Sequence, residues 1–414
     1  MEVCSGTSVL VFCFGLGRID LMLPRSLPPV GSPVALSNPS ADVPSFAGYQ
    51  AVWLDSGTAA LALALIACRE KHLSAERPQV ILPAYGCPDL VAAAECAGVT
   101  PVLVDVQADD PGYDLTALRS ALCSDTIAVV AVNFLGIRER MVELRELLMP
   151  WPRATLIEDN AQWFPEPKDE LESEAICLSF GRGKPVNLIG GGALLVRGSF
   201  TSADLRRPIG PAKESRMWMR SKARLFNALL NPVAYWIASR VPFFGVGKTV
   251  FQPLHEISEL DHERMRLLED NVRRHFARSQ KIAERIRQCL PPAMDLPSRL
   301  SGRAGRLLRY PVLCVDKSQR DRLWQALARA GLGASTMYER SLIRIDGVDS
   351  RVASCVSSAG ADCFADRLLT LPVHPGVEEQ SIQRLESIIE EEMLTARRPA
   401  EAAIKKSARP DQGV

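Results

Sequence analysis

The chain has 414 residues, of which 47% are hydrophobic and 23% charged, a composition typical of globular proteins with room for more than one domain. Its formal net charge of +1 argues against a nucleic-acid-binding protein, because such proteins carry a marked basic excess. The 11 cysteines form no CxxC pair and the five histidines no metal-ligating pattern, so we expect free thiols in a reducing cytosol and no metal site.

The N-terminal segment is a poor match to a signal peptide. Residues Val9–Leu16 are apolar, but no Lys or Arg precedes them and Gly15 interrupts the short run. A more ordinary protein sequence begins at Met22, so residues 1–21 are interpreted as an over-extended N-terminus. No uncharged apolar run is long enough to predict a transmembrane helix.

Strand-like and helix-like segments then alternate as far as Arg197, a pattern that predicts a three-layer domain with a mostly parallel sheet. In such sheets, ligands bind at the carboxyl ends of the strands. The predicted strands are Ala51–Leu54, Gln79–Leu82, Pro101–Asp105, Ile127–Val132, Thr155–Ile157, Ala175–Leu178 and Ala193–Val196. The predicted helices are Thr58–Cys68, Pro88–Ala97, Asp114–Cys123 and Met141–Leu148.

The rest of the chain is predicted to contain an atypical segment and a smaller domain. Residues 200–252, which complete a large domain from residue 22, mix basic residues with an apolar stretch that fits a buried or interface helix pair, or a membrane-surface contact through 225–250. Asp261–Cys289 is predicted as one long bridging helix within 253–396. The small α/β domain follows, and 397–414 is predicted as a disordered tail. Its predicted elements are strands at Leu307–Val315 and Asp366–Val373 and helices at Lys317–Ala330 and Gly376–Met393.

Two charged residues at strand ends carry the most specific chemical signal. Asp159 follows the apolar strand at Ile157, and Lys184 follows Leu178 in a run of small residues. A lysine that loses its proton is a nucleophile toward carbonyl carbons. A carboxylate that keeps a pyridine ring nitrogen protonated lets that ring accept the electrons of a carbanion. Together they match what an enzyme that uses pyridoxal 5'-phosphate (PLP) needs, although an N-cap or surface carboxylate and an exposed lysine would also explain them.

Two further loops lie at the same predicted edge of the sheet, at the carboxyl ends of the strands. Asp55–Leu61 is a strand-to-helix turn whose free N–H groups could bind an anion, although an ordinary helix cap explains it as well. Pro83–Pro88 could hold the face of a ring, with Pro88 starting a helix.

The order of these motifs resembles the DegT/DnrJ/EryC1/StrS family. The residues that carry the resemblance are SGTAAL, PAYGCPD, AGVTPVLVDV, IEDNAQ and SFGRGK with GGG, between about Ala51 and Val196, and a weaker likeness returns at Ala365–Pro375. The family consists of fold-type I PLP enzymes, mainly aminotransferases that act on keto sugars attached to nucleotides. The resemblance implies a homodimer, glutamate as amino donor, and a keto-sugar acceptor in bacterial polysaccharide or secondary metabolism.

The resemblance also implies roles for individual residues. Lys184 would form the Schiff base with PLP and shuttle the proton, and Asp159 would pair with the ring nitrogen. Gln162 would lie near the 3-oxygen of the cofactor. The implied phosphate ligands are Gly57, Thr58 and Ser179.

The chain departs from the family pattern in two places. Cys87 occupies the position of the usual aromatic residue that stacks on the ring, with Tyr85 two residues away as a possible substitute. Residues 200–252 do not resemble the sugar-aminotransferase version of this region. The chain therefore resembles a less characterised branch.

Several weaker candidates complete the predicted site. Tyr85, Asn133, Arg182 and Tyr338 are candidate substrate contacts, whereas His374 is interpreted as a structural histidine. Two other functions stay open. One is a PLP-dependent sugar dehydratase or lyase, which the lysine at position 184 disfavours. The other is a non-catalytic scaffold at the membrane, which would need neither Lys184 nor Asp159.

Overall fold

The computed structural model describes residues 25–37, 39–73, 75–198, 200, 205, 209–212, 214–240 and 249–407, with side chains up to residue 394. The predicted N-terminal extension 1–21 and part of the 225–250 segment lie outside these residues. The strands are β1 Gln50–Leu54, β2 Gln79–Pro83, β3 Thr100–Val104, β4 Val106–Gln107, β5 Asp110–Tyr113, β6 Thr126–Val132, β7 Thr155–Asn160, β8 Ala175–Ser179, β9 Gly192–Val196, β10 Ile209–Gly210, β11 Ile257–Ser258, β12 Tyr310–Leu313, β13 Ser354–Cys355 and β14 Leu368–Leu371.

Twelve α-helices accompany these strands in the described part of the chain. They are α1 Gly57–Lys71, α2 Asp89–Ala97, α3 Leu115–Ala121, α4 Met141–Leu148, α5 Arg216–Leu229, α6 Pro232–Arg240, α7 His262–Phe276, α8 Lys281–Cys289, α9 Leu296–Arg299, α10 Lys317–Arg329, α11 Ala359–Arg367 and α12 Glu379–Ser407.

Eight strands form the main sheet in the order β1-β9-β8-β7-β6-β2-β3-β13. Every neighbouring pair from β8 to β13 is parallel, and only β9 runs against its two neighbours. The carboxyl ends of β1, β2, β6, β7 and β8 therefore meet at one edge, beside the start of β9. This α/β architecture with a mostly parallel sheet confirms the predicted fold class.

The packing of helix α1 makes the sheet edge rigid at the turn where α1 begins. It is apolar around its whole circumference, with ten consecutive buried residues from Ala59 to Cys68. An α-helix that is apolar on all sides must be buried on all sides. The first turn of α1 is therefore fixed against the sheet by packing along the entire helix.

A second apolar core lies in the C-terminal part. The antiparallel pair β12–β14 packs with residues from α8, α10 and α12, including Ile286, Leu323 and Leu385. On α12, Ile382, Leu385 and Ile389 are buried at the spacing of one helix face. The helix runs on to Ser407, so it extends into the segment predicted as a disordered tail.

The structure corrects two predicted elements and adds one that was not predicted. The single helix predicted over Asp261–Cys289 is two helices, because the chain leaves α7 after Phe276 and restarts where Ser279 Oγ accepts a hydrogen bond from the Lys281 N–H. Part of the strand predicted over Asp366–Val373 is the end of α11. The hairpin β4–β5 was not predicted.

A contact between distant residues accounts for α11. The carboxylate of Asp105, directly after β3, accepts hydrogen bonds from the N–H groups of Gly360 at 2.9 Å and Ala361 at 2.8 Å. Such a cap satisfies N–H groups that a helix leaves unpaired at its start. Because the cap comes from a residue far away in sequence, local patterns do not reveal it.

Candidate active site

Asp159 and Lys184 lie on the same side of the sheet edge. Successive side chains of β7 point to opposite faces, so Glu158 and Asn160 share one face and Asp159 has the other. Glu158 is fully buried and accepts hydrogen bonds from the N–H of Ser173 and from Asn133 Nδ2. Asp159 is partly exposed and feels the charge of Lys184, which is also partly exposed. Of the adjacent carboxylates, Asp159 is the one that faces the lysine.

The environment of Asp159 suits a carboxylate that binds a cationic group. Burial raises the pKa of its carboxyl group, whereas the hydrogen bond from the Ala161 N–H at 2.9 Å and the charge of Lys184 lower it. A bound cationic group beside Asp159 would add a second charge that favours the ionised form.

The turn into α1 forms a cradle beside Ser179. Ser56 caps the helix by accepting a hydrogen bond from the Ala59 N–H at 3.0 Å, and the helix geometry gives the N–H groups of Gly57 and Thr58 no partner within the helix. A Cβ atom at Gly57 would lie 2.6 Å from Ser179 Cβ, so a larger residue does not fit there. Small residues and the positive end of a helix dipole together form a typical site for a phosphate.

Gln162 is hydrogen bonded to Tyr338 and to the backbone of Leu135, and Cys87 lies nearby. Gln162 Nε2 donates to Tyr338 Oη at 3.1 Å, while Gln162 Oε1 accepts from the Leu135 N–H at 3.0 Å. The thiol of Cys87 is close enough to raise the pKa of the Tyr338 hydroxyl further above the value that burial gives it. Burial raises the pKa of that thiol to about 12, so Cys87 is protonated at neutral pH and acts as a small polar contact, not as a nucleophile.

The other three candidate substrate contacts differ in how exposed they are. Tyr85 is buried, packs edge-on against Phe134 and Phe364, and donates its hydroxyl to the Tyr338 carbonyl at 3.1 Å. Asn133 is fully buried and hydrogen bonds to Glu158, Asn160 and the Glu139 N–H, which leaves none of its polar groups for a ligand. Arg182 is exposed to solvent.

Sequence patterns missed other features of this region. Asp89, at the start of α2, lies near Cys87 and places a second negative charge near Asp159. Leu135, Ile189 and Met337 have positive φ angles of 56°, 55° and 57°, which non-glycine residues rarely adopt. Leu135 binds Gln162, Ile189 lies in the loop after Lys184, and Met337 precedes Tyr338. Strained backbone often marks functional sites.

His374 has the structural role that was predicted for it. Its Nδ1 accepts a hydrogen bond from the Gly376 N–H at 3.1 Å, so Nε2 carries the proton and donates to the Pro28 carbonyl at 2.9 Å. Burial lowers the pKa of His374 from 6.5 to about 4. The neutral ring is part of the folded core.

The protonation of His374 predicts sensitivity to mild acid. The unfolded chain takes up a proton near pH 6.5, whereas the folded chain does not until about pH 4, so stability is lost as pH falls through this interval. For His374 alone we expect the unfolding free energy to drop by about 2 kcal/mol between pH 7 and pH 5. Urea unfolding at both pH values would show a smaller drop in His374→Gln. The same drop in His374→Gln as in the exposed-site control His262→Gln would contradict the assignment.

The sequence comparison matches part of the chain to a known family. Residues 45–207 match the sequence profile of the DegT/DnrJ/EryC1/StrS aminotransferase family. This segment belongs to that family. The DegT-family segment contains the α1 cradle, Cys87, Asp159, Gln162, Ser179 and Lys184, and the prediction of an aminotransferase-family enzyme is confirmed at this level.

Solved structures of aminotransferases share the fold. PseC from Helicobacter pylori, an aminotransferase involved in pseudaminic acid biosynthesis, is 17% identical with a TM-score of 0.60, over 84% of this chain and 88% of its own. Spr1654 from Streptococcus pneumoniae, solved in a PLP form, is 18% identical with a TM-score of 0.57, over 83% and 87%. The sugar aminotransferase CalS13 from Micromonospora echinospora is 18% identical with a TM-score of 0.56, over 82% and 87%.

These identities establish a shared fold and do not transfer a substrate. No curated protein sequence matches the chain. In the described residues, no helix is both long and apolar enough to cross a bilayer.

Proposed function

We propose that the protein is a PLP-dependent aminotransferase, with Lys184 holding the cofactor and Asp159 pairing with its ring nitrogen. The observation that carries the proposal is that the Lys184–Asp159 pair and the Gly57–Ser179 cradle share one edge of the sheet. The cradle fits a phosphate, and the partly buried carboxylate fits a ring nitrogen that bears a proton.

When bound, PLP supplies an electron-withdrawing ring next to the carbon at which the amino group is exchanged. Lys184 would hold the cofactor and then move a proton between the two carbon atoms that flank the exchanged nitrogen. Asp159 would keep the ring nitrogen charged. Gly57, Thr58 and Ser179 would hold the phosphate, with Gln162 near the 3-oxygen. Cys87, in place of an aromatic ring, would present its thiol to the cofactor.

For the substrates, we propose glutamate as amino donor and a keto sugar, nucleotide-linked in the simplest case, as acceptor. The family segment and the sugar aminotransferase CalS13 support the acceptor class. A role in bacterial polysaccharide or secondary metabolism follows from that choice.

The absorbance spectrum of the purified protein with added PLP tests the proposal. We expect a near-visible band that disappears when glutamate is added and returns when 2-oxoglutarate is added in excess. A band that persists with every amino donor would indicate a dehydratase or lyase instead. A protein that gives no band with PLP would favour the scaffold interpretation.

The helix pair α5–α6 presents an apolar and basic surface to solvent. Met217, Trp218 and Leu225 lie along one exposed face of α5, and Ile237 on α6 is also exposed. Residues 216–240 contain no acidic residue and five basic ones, namely Arg216, Arg220, Lys222, Arg224 and Arg240. Glu263 binds Arg216 and Arg220, and Glu214 binds Lys222, so the charge that complements an outside partner comes mainly from Arg224 and Arg240.

We propose that this α5–α6 surface contacts an anionic lipid bilayer, because exposed Trp and Leu beside Arg suit the membrane interface. The purified protein should sediment with vesicles that contain anionic lipid and stay in solution with neutral ones. Trp218→Glu should abolish sedimentation, whereas Leu73→Glu, at an exposed leucine elsewhere, should not. A dimer that the Trp218→Glu variant disrupts, without vesicle binding by either protein, would assign the surface to a second copy. The homodimer itself stays a proposal that rests on the family.

A further inference from the structure

Arg309, the residue before β12, has a buried guanidinium group, and one edge of this group makes no hydrogen bond. Its exposed fraction is 5%, and neither Nε nor Nη2 has a hydrogen-bond partner among the described residues. Its third nitrogen, Nη1, lies 3.6 Å from the sulfur of Met337, a weak acceptor. Buried polar groups are almost always hydrogen bonded, so two free nitrogens on one charged side chain call for an explanation.

The surroundings of Arg309 provide no counter-ion. Within the part of the chain that the structure describes, no carboxylate lies within ion-pair distance of it, and its nearby ionisable groups include Tyr85, Tyr235, Tyr338 and His374. Burial lowers its pKa to about 10, so it stays charged at neutral pH. Other arginines of the interior differ: Arg303 binds the carboxylate of Asp110, and Arg320 pairs with Asp321.

The unused atoms define the kind of ligand that fits. Nε–H and Nη2–H point in parallel from one edge of the guanidinium, the geometry that binds both oxygens of a carboxylate. A neutral hydroxyl or amide would leave the charge uncompensated. The missing partner is therefore an anion, and a carboxylate matches the free edge best.

The position of Arg309 connects it to the candidate active site. Met337, which contacts Arg309, has a strained positive φ and precedes Tyr338. Tyr338 lies near Arg309 and is hydrogen bonded to Gln162. Met337 contacts Nη1, so the Nε–Nη2 edge of Arg309 is on the side of the guanidinium group that Met337 does not occupy.

We infer that Arg309 binds a carboxylate group of the substrate through its Nε–Nη2 edge. The inference rests on the proposed function, in which an amino acid is the donor and carries such a group. It gives Arg309 a role in substrate recognition, apart from the residues that hold the cofactor.

Thermal unfolding without ligand separates this role from a structural one. Replacing an unpaired buried charge by an apolar side chain of similar size removes a desolvation cost, so Arg309→Met should unfold at an equal or higher temperature than the unmodified protein. Arg320→Met, which breaks an existing ion pair, should unfold at a lower temperature. A lower unfolding temperature for Arg309→Met would show that Arg309 stabilises the fold through a partner, which overturns the inference.

Binding of glutarate, measured by calorimetry on the protein with PLP added, tests recognition without turnover. Glutarate has carboxylates but no amino group, so it cannot react. Its dissociation constant should rise about tenfold to hundredfold in Arg309→Met, and Arg309→Lys should restore little because lysine lacks the paired N–H edge. The exposed-site control Arg322→Met should bind as the unmodified protein does.

The two proposals fail in different ways. Equal glutarate affinity in Arg309→Met and the control would overturn the role of Arg309, even if glutamate abolishes the absorbance band. Loss of glutarate binding in Arg309→Met, in a protein that shows no band with PLP, would leave the carboxylate site in place and overturn the aminotransferase instead.

Discussion

Replacing Lys184 by alanine should abolish the near-visible absorbance band of the protein with PLP and lower amino-group transfer by roughly 10⁴-fold or more. The reason is that one amine is assigned two tasks, holding the cofactor and moving the proton, and nothing else in its loop from Gly181 to Pro185 carries an amine. Spectra and transfer rates with glutamate, recorded at equal protein concentration, measure both losses.

Lys168→Ala is the matched control for Lys184→Ala. Lys168 is largely exposed and pairs with Glu166, so its loss should change neither the band nor the rate. Added methylamine should restore part of the transfer rate in Lys184→Ala, since it can supply an amine at the vacated position. A Lys184→Ala protein that keeps the band and the rate would remove Lys184 from the mechanism.

Asp159→Asn should retain PLP but lower the transfer rate by about 10²- to 10³-fold, the usual loss for one preorganised electrostatic group. Asparagine keeps the shape and can still accept the hydrogen bond from the Ala161 N–H, but it carries no charge to hold a proton on the ring nitrogen. The rate of the half-reaction with glutamate, measured by rapid mixing, isolates this effect from acceptor binding.

Glu158→Gln provides the comparison on the opposite face of the same strand. Glu158 is buried and hydrogen bonded to Ser173 and Asn133, so its replacement should lower stability and leave the half-reaction rate of the folded protein unchanged. Equal rate losses in Asp159→Asn and Glu158→Gln would mean that the charge of Asp159 has no special role. Strand β7 would then act only by holding the site in position. A normal rate in Asp159→Asn would exclude an ionic role for Asp159.

Local sequence signals predicted the elements that position the site. Apolar runs identified β7 and β8, and they placed Asp159 and Lys184 near the carboxyl ends of strands that prove to be parallel neighbours. The strand-to-helix turn at Gly57 was predicted as well, and its use as a phosphate site stays a prediction. These features follow from patterns within about ten residues, which a single sequence displays directly.

Residues whose role depends on distant partners were predicted less well. Tyr85 was considered as a substitute for the aromatic residue that stacks on the cofactor ring. In the structure it is buried and packs against Phe134 and Phe364. Asn133 lies at a strand end as predicted, but its side-chain amide donates hydrogen bonds to Glu158 and Asn160. The separation of α7 from α8 depends on a short turn, and the cap of α11 comes from Asp105, more than 200 residues away.

The sequence by itself determined the α/β class, the family resemblance and the identity of the lysine and the aspartate proposed for catalysis, because these depend on periodicity and on motifs in a fixed order. Only the tertiary structure decided which of the adjacent carboxylates faces Lys184, which candidates are buried, and that Arg309 has no counter-ion. The physical reason is that burial and pairing are set by side chains that meet across the fold. A charged residue can be recognised in the sequence, but whether it has a partner depends on every residue packed around it.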